Sequence, residues 1–284
     1  MIDCHTHLQP HGAQPPMTLE RIRAYVRVAQ ERGVERIAIT EHLFRFREAF
    51  DALHGWWDDD ADPQLARMAE AYWRDHVSGT MADYARVVEQ AKAAGMPVLL
   101  GLEMDWIRGR GEQLEALLRP YDWDIVLGSV HYIGAFGFDD ERFLAEWDRR
   151  AVGDVWAEYG ALVREAGESG LVDALSHPDL PKVFRRRPDD ERPLHDAVLA
   201  GARAHGVALE LNSNGLRKPC AEIYPALPLL ERACALGLPI TLASDAHTPE
   251  RAGEAFDALA SWARRAGYEQ AVGFVDRAPV AYAL

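Results

Sequence analysis

The chain has 284 residues, 48% hydrophobic and 27% charged, with a formal net charge of −14. That balance is globular, and it excludes a basic face of the kind that binds nucleic acid. No apolar run approaches the roughly 20 residues that span a bilayer, no secretory signal is visible at the start, and three cysteines form no paired framework, so a cytoplasmic protein is expected, with neither membrane nor nucleic acid among its partners.

The opening, MIDCHTHLQPHG, holds three histidines. A short apolar run over 1–4 leads into His5 and His7, two residues apart and so on one face of an extended strand. Asp3 is expected on that face, where it could orient an imidazole, while Cys4 alternates away. An amphipathic stretch over 18–33 follows, and the second run, 36–40, ends on Glu41 and His42. The segment 44–76, rich in aromatics and acids and including HGWWDDDAD, would overhang a barrel mouth. It reads either as a lid touching substrate, with 56–60 setting substrate preference, or as a packed insertion.

A helical pattern over 81–95 precedes the run 97–102, which ends on Glu103, and RGRG at 108–111 reads as a turn before a helix. Runs 125–130 and 172–176 end on His131 and His177. FRRRPDDERP reads as a solvated turn, from which Lys182 or Arg185 could reach a phosphate. Helical patterns over 189–206 and 221–237 precede the runs 207–211, ending on Asn212, and 240–243, leading to Asp245 and His247 in SDAH.

Gly33, Gly95, Gly170, Gly206 and Gly237 stand where helices close, each just before the next run. Strand and helix alternating in this way imply parallel strands with crossover helices. Periodicity alone leaves a barrel and an open doubly wound sheet in competition. The polar residues at the strand ends favour the barrel, because only there do all the strand ends converge on one mouth. Six of the eleven histidines fall at those ends, and imidazoles with carboxylates suit zinc, iron or manganese. His54, His76, His195 and His205 lie off the strand ends and read as ordinary histidines.

In order, DCHTHL, ITEH, GLE, GSVH, SHPDL and SDAH resemble the polymerase-and-histidinol-phosphatase (PHP) superfamily of metal-dependent phosphoesterases. YDWDIVLGSVHYIG, ELNSNGLRKPCAEIYPA and the terminal PVAYAL are most similar to its histidinol-phosphate phosphatase branch. The resemblance implies an α/β fold, a distorted (β/α)7 barrel, as one domain over 1–284 with its site at the C-terminal ends of the strands. It also implies two to three divalent ions. His5, His7, Glu103 and Asp245 would hold one; Glu103 would bridge to a second held by His131 and His177; His11, His42 and His247 would hold the third. Glu41 is expected as a structural carboxylate.

The implied activity is hydrolysis of L-histidinol phosphate to L-histidinol and phosphate, in histidine biosynthesis, by a metal-bridging hydroxide. Glu103, Asp245 and His247 would stand at the reacting centre. Arg217, Lys182 and Asn212 are the candidates for holding substrate, Arg217 through its planar fork. The expected partners are a small phosphate ester and phosphate. Three other readings stand beside this one: a PHP enzyme for nucleotides or another small ester, a metal-binding module without turnover, and an amidohydrolase. No candidate ligand is missing, as a degenerate module would lead one to expect, and Glu103 takes the place where an amidohydrolase normally has a bridging lysine. The sequence leaves metal identity and oligomeric state open.

Overall fold

Residues 1–10, 12–60 and 62–284 are described by the computed structural model. Seven runs become strands: β1 (Ile2–Thr6), β2 (Arg36–Ile39), β3 (Val98–Asp105), β4 (Ile125–Ser129), β5 (Ala174–Leu175), β6 (Ala208–Asn212) and β7 (Ile240–Ala243). They lie in sequence order and every neighbouring pair is parallel. The sheet also closes on itself. Asp245 N donates to His5 O at 2.9 Å and His7 N to Ala246 O at 2.8 Å, which joins the end of β7 to β1. The architecture is a seven-stranded barrel, not an open sheet.

The crossovers are helical. α1 (Leu19–Glu31) joins β1 to β2, and α2 (Arg47–Leu53), α3 (Pro63–His76) and α4 (Met81–Ala93) fill the long segment before β3. α5 (Gly111–Leu118) precedes β4; α6 (Leu144–Trp147) and α7 (Val152–Glu168) precede β5; α8 (Arg192–His205) and α9 (Leu227–Ala235) lead to β6 and β7; α10 (Phe256–Arg265) follows β7. α1 shows why such stretches fold. Thr18 caps it by accepting from Arg21 N, and Ile22, Tyr25, Val26 and Ala29 are buried along one face. The five closing glycines all have φ between 68° and 78°, the left-handed geometry that a side chain would resist. α7 and α8 pack closely because a Cβ on Gly167 would stand 2.6 Å from the backbone of Gly201. Among the described residues, no helix is long and apolar enough to cross a membrane.

A final hairpin, β8 (Gln270–Val275) with β9 (Ala278–Ala283), has no counterpart in the sequence reading. Its Phe274 packs with Ile2, Cys4, Ala38, Leu99, Ile125, Leu127, Ala174 and Ala208, drawn from six of the strands, and so plugs the N-terminal end of the barrel. The turn uses Asp276 and Arg277, both with positive φ, as a two-residue hairpin of matching twist requires. Arg277 Nε donates to Asp173 at 3.0 Å, and Asp276 N to Asp124 Oδ1 at 3.1 Å.

One irregularity positions the site. Asp3 pairs with Ile37, but Thr6 pairs with Ile39, so β1 spends three residues where β2 spends two. A bulge of this kind re-aims the side chains beyond it. Cys4 therefore joins the interior cluster below, and His5 also turns inward. Asp3 does not share their face, a correction to strict alternation. It accepts from Ser244 N at 2.9 Å and Gly253 N at 3.0 Å, clamping the chain after β7, and bonds to no imidazole among the described residues.

Candidate metal centre and substrate cavity

At the C-terminal end of the barrel, three donor groups each have their ligand atoms within 4.8 Å of one another: His5, His7 and Asp245; Glu103, His131 and His177; and His7, His42 and His247. Glu103 stands between them. Its Oε2 lies 3.5 Å from His5 Nε2, 3.6 Å from His7 Nε2 and 2.5 Å from His42 Nδ1. Its Oε1 lies 3.1 Å from His177 Nε2 and 3.5 Å from His131 Nε2. One carboxylate thus faces imidazoles on two sides. His11, expected with His42 and His247, lies outside the described residues; in this structure His7 completes their group.

Two members of this cluster sit in uncommon backbone conformations, His177 with φ 29° and Asp245 with φ 50°. The surroundings hold them there. His177 N donates to Glu210 Oε2 at 2.9 Å, and Tyr159 Oη donates to His177 O at 3.0 Å. Asn212 and Asn214 donate to Asp245 Oδ2 at 3.2 and 2.9 Å.

A second layer of carboxylates orients the rings, and sequence reasoning missed its two main members. Glu210 Oε1 faces His5 Nδ1 at 2.7 Å, and Asp105 Oδ1 faces His131 Nδ1 at 2.7 Å. Both were legible by period two, Glu210 two residues before Asn212 and Asp105 two after Glu103. Ending the third run at 102 concealed Asp105, because β3 continues through it. Glu41 accepts from Leu8 N and Gln9 N at 3.0 and 3.1 Å, fixing the turn after His7.

The electrostatics fit cations. Burial alone would raise Glu103 and Asp245; the surrounding imidazoles outweigh it and hold both carboxyls well below the usual range. Burial and the neighbouring His7 lower His42 well below the ordinary imidazole value and take His247 to about 3, whereas the facing carboxylates outweigh burial at His5 and His131 and raise them, His131 to about 10. His5 Nε2 and His7 Nε2 face each other at 2.9 Å. Glu103 Oε2 makes no well-formed hydrogen bond despite three nearby rings. Imidazole nitrogens and carboxylate oxygens gathered in these three groups make a donor set suited to zinc, iron or manganese.

A cavity of about 520 Å³ opens on the cluster, within the size range of small-molecule sites. It is lined by His42, Glu103, His131, His177, Asp245 and His247 of the cluster. Phe44, Tyr72, His76 and Tyr132 line it as well, as do Asp139, Asp140, Arg142 and Lys218.

Several of the expected substrate contacts have other partners in this structure. Lys182 is fully buried outside the cavity lining, its Nζ bound to Asp179 and to Ile223 O at 2.8 Å each. Arg217 pairs with Glu254 and donates to Asn214 Oδ1 at 3.0 Å, so its fork is already occupied. Arg185 donates to Pro219 O at 2.5 Å. Asn212, also outside the lining, acts on Asp245. Lys218, passed over in favour of Arg217, is the residue of that pair that lines the cavity. Trp56 and Trp57 are core residues, 4% and 2% exposed, Asp58 and Asp59 are exposed, and none of 56–60 is among the residues that line the cavity. The two ends of that segment reach the cavity instead, through Phe44, Tyr72 and His76, the last read from sequence as ordinary.

The PHP domain family profile matches residues 3–214. A protein of Deinococcus radiodurans named probable histidinol-phosphatase is 37% identical over 254 residues, covering 89% of this chain and 87% of that protein. A Schizosaccharomyces pombe protein of the same name is 23% identical over 280 residues, 94% of this chain and 87% of that one. Among solved structures, the histidinol phosphate phosphatase of Lactococcus lactis, crystallised with zinc, L-histidinol and phosphate, superposes with a TM-score of 0.71 at 21% identity, covering 98% of each chain.

Proposed function

The chain belongs to the PHP family, and on that premise we propose that it is a metal-dependent phosphomonoesterase that hydrolyses L-histidinol phosphate to L-histidinol and phosphate. The observation that carries the reading is Glu103, whose two oxygens face two separate imidazole sets and which lines the cavity. The named activity of the Deinococcus relative supplies the substrate class.

His5, His7 and Asp245 would hold one ion, and Glu103 with His131 and His177 a second. His42 and His247, with His7 and with His11, would hold a third. Zinc, iron and manganese all suit this ligand chemistry. Divalent ions, when bound, supply Lewis acidity toward phosphoryl oxygens and make water nucleophilic near neutral pH.

The chain's own residues do the positioning. Ser129 Oγ donates to Glu103 Oε1 at 2.7 Å, fixing the plane of that carboxylate. Asp105 and Glu210 select which nitrogen of His131 and of His5 faces the centre. Lys218 offers a mobile cation to the phosphate end of the substrate, in place of Arg217 and Lys182. Residues 1–284 would work as one cytoplasmic domain without nucleic-acid or membrane partners.

Phosphate release from a panel of monoesters under matched metal loading tests this. Histidinol phosphate should exceed nucleoside monophosphates and glycerol phosphate in kcat/KM. A preference for nucleotides would overturn the substrate, and full turnover in metal-free protein would overturn the chemistry.

A further inference from the structure

Of the carboxylates that line the cavity, Glu103 and Asp245 face imidazoles and Asp140 forms an ion pair with Arg142. Asp139 is different. It lines the cavity and is mostly buried, yet no hydrogen bond or ion pair of its carboxylate is found among the described residues. Its place in the chain is nonetheless fixed on both sides. Phe138 is fully buried, its ring 5.3 Å from that of Tyr159, and its carbonyl accepts from Trp147 Nε1 at 2.8 Å. Asp140 N donates to Gly137 O at 3.1 Å, and Asp140 caps the next turn by accepting from Arg142 N at 2.8 Å.

A carboxylate on the cavity wall with no protein partner among the described residues is open to pair with a cation that enters the cavity. Burial pushes the Asp139 carboxyl up; His131 and Lys218 pull it back only in part. Tyr72, Tyr132 and Tyr224, which also line the cavity, lie close enough to feel its charge. An arriving cation would therefore meet both a carboxylate and aromatic faces.

We propose that Asp139 is the specificity-determining residue for the ammonium group of an amino-alcohol phosphate, pairing with it while the phosphate end lies toward Lys218 and the donor groups of Glu103. This rests on the function proposed above, and it gives the cavity a positive and a negative contact for the phosphate and the neighbouring ammonium of one zwitterionic substrate. Glu141, next along the lining, is more exposed than Asp139.

The test compares kcat/KM for L-histidinol phosphate and for the same ester with hydrogen in place of the amine, in wild type and Asp139→Asn. Calorimetric binding of L-histidinol is measured alongside. Losing one charge-assisted hydrogen bond should cut the wild-type preference for the amine-bearing ester by about 10- to 100-fold. L-Histidinol binding should weaken in parallel, with metal content kept, and Asp139→Glu should recover part of the preference. A mutant that keeps the preference, loses both esters equally, or loses metal equivalents would overturn the role of Asp139. A wild type with no preference for the amine would overturn the proposed substrate instead, so the two failures can be told apart.

Discussion

At the N-terminal end of the barrel, Asp124 and Asp173 are buried against cations that the chain supplies itself, whereas at the C-terminal end Glu103, Asp245 and Glu210 have imidazoles, amides and hydroxyls for partners. Lys92 Nζ lies 2.9 Å from Asp124, and Arg277 Nε lies 3.0 Å from Asp173. At the mouth, Arg45 lies 3.8 Å from Glu41 at its edge, Lys182 and Arg217 are committed to Asp179 and Glu254, and Lys218 and Arg142 line the cavity, while Glu103 and Asp245 face imidazoles. One end is electrically complete as folded; the other is arranged for cations that come from outside. The same barrel thus separates stability from chemistry along its axis, in keeping with the division common to α/β barrels.

The largest expected effect comes from taking those external cations away. Chelation should abolish phosphate release and lower the melting temperature, and readdition of zinc or manganese should restore both. At free metal a thousand times Kd, each ion contributes about 4 kcal/mol to stability. Glu103→Gln should imitate much of this by losing more than one metal equivalent, as a bridging carboxylate requires, read by elemental analysis of the folded protein. Identical melting curves with and without metal would erase the contrast between the two ends.

The two ends were also unequally legible in the sequence. The mouth announced itself because histidine is rare and strongly chemical, so His5, His7, His42, His131, His177 and His247 stood out at the ends of apolar runs. What stayed hidden there depended on geometry that residue spacing does not carry. The extra residue in β1 breaks the period of two and moves Asp3 off the histidine face. The lining position of Lys218 rather than Arg217 depends on how one short turn after β6 is wound. At the other end, the hairpin was missed because β9, APVAYA, lies mostly exposed and shows no alternation of buried and exposed residues. Its turn, Asp276–Arg277, also lacks the glycine that usually marks such a hairpin.

Glu210 sharpens the comparison, because it is a fully buried carboxylate that joins parts of the mouth. It faces His5 Nδ1 through one oxygen and accepts from His177 N and Asn212 Nδ2 through the other, at 2.9 Å each. Glu210→Gln keeps the shape but removes the charge that fixes the His5 tautomer. Metal affinity should fall by about 10- to 100-fold, the usual range for a group that orients a ligand. The readout is competition with a chelator, which does not depend on turnover. Unchanged affinity would reduce Glu210 to packing.

The smallest effect is expected at the plugged end, from Arg277→Ala. The guanidinium binds Asp173 at 3.0 Å and Leu171 O at 2.7 Å, so its loss leaves a buried carboxylate and a carbonyl without their donor. The Arg277 side chain is 36% exposed and that of Asp173 10%, so water can enter and replace part of what is lost. The cost should therefore be about 1–2 kcal/mol rather than the several expected for a fully buried pair. For a chain of this size that means a fall of roughly 2–6 °C in Tm. Arg277→Lys should recover part of it, since a lysine keeps the charge but cannot span both acceptors in one plane. Metal content and kcat/KM should stay at wild-type values, because the hairpin meets the barrel at the layer of Ile2, Cys4 and Phe274, beneath the ring of His5. If Arg277→Ala instead released metal, the two ends would be coupled through that apolar layer, and the separation of stability from chemistry along the barrel would fail.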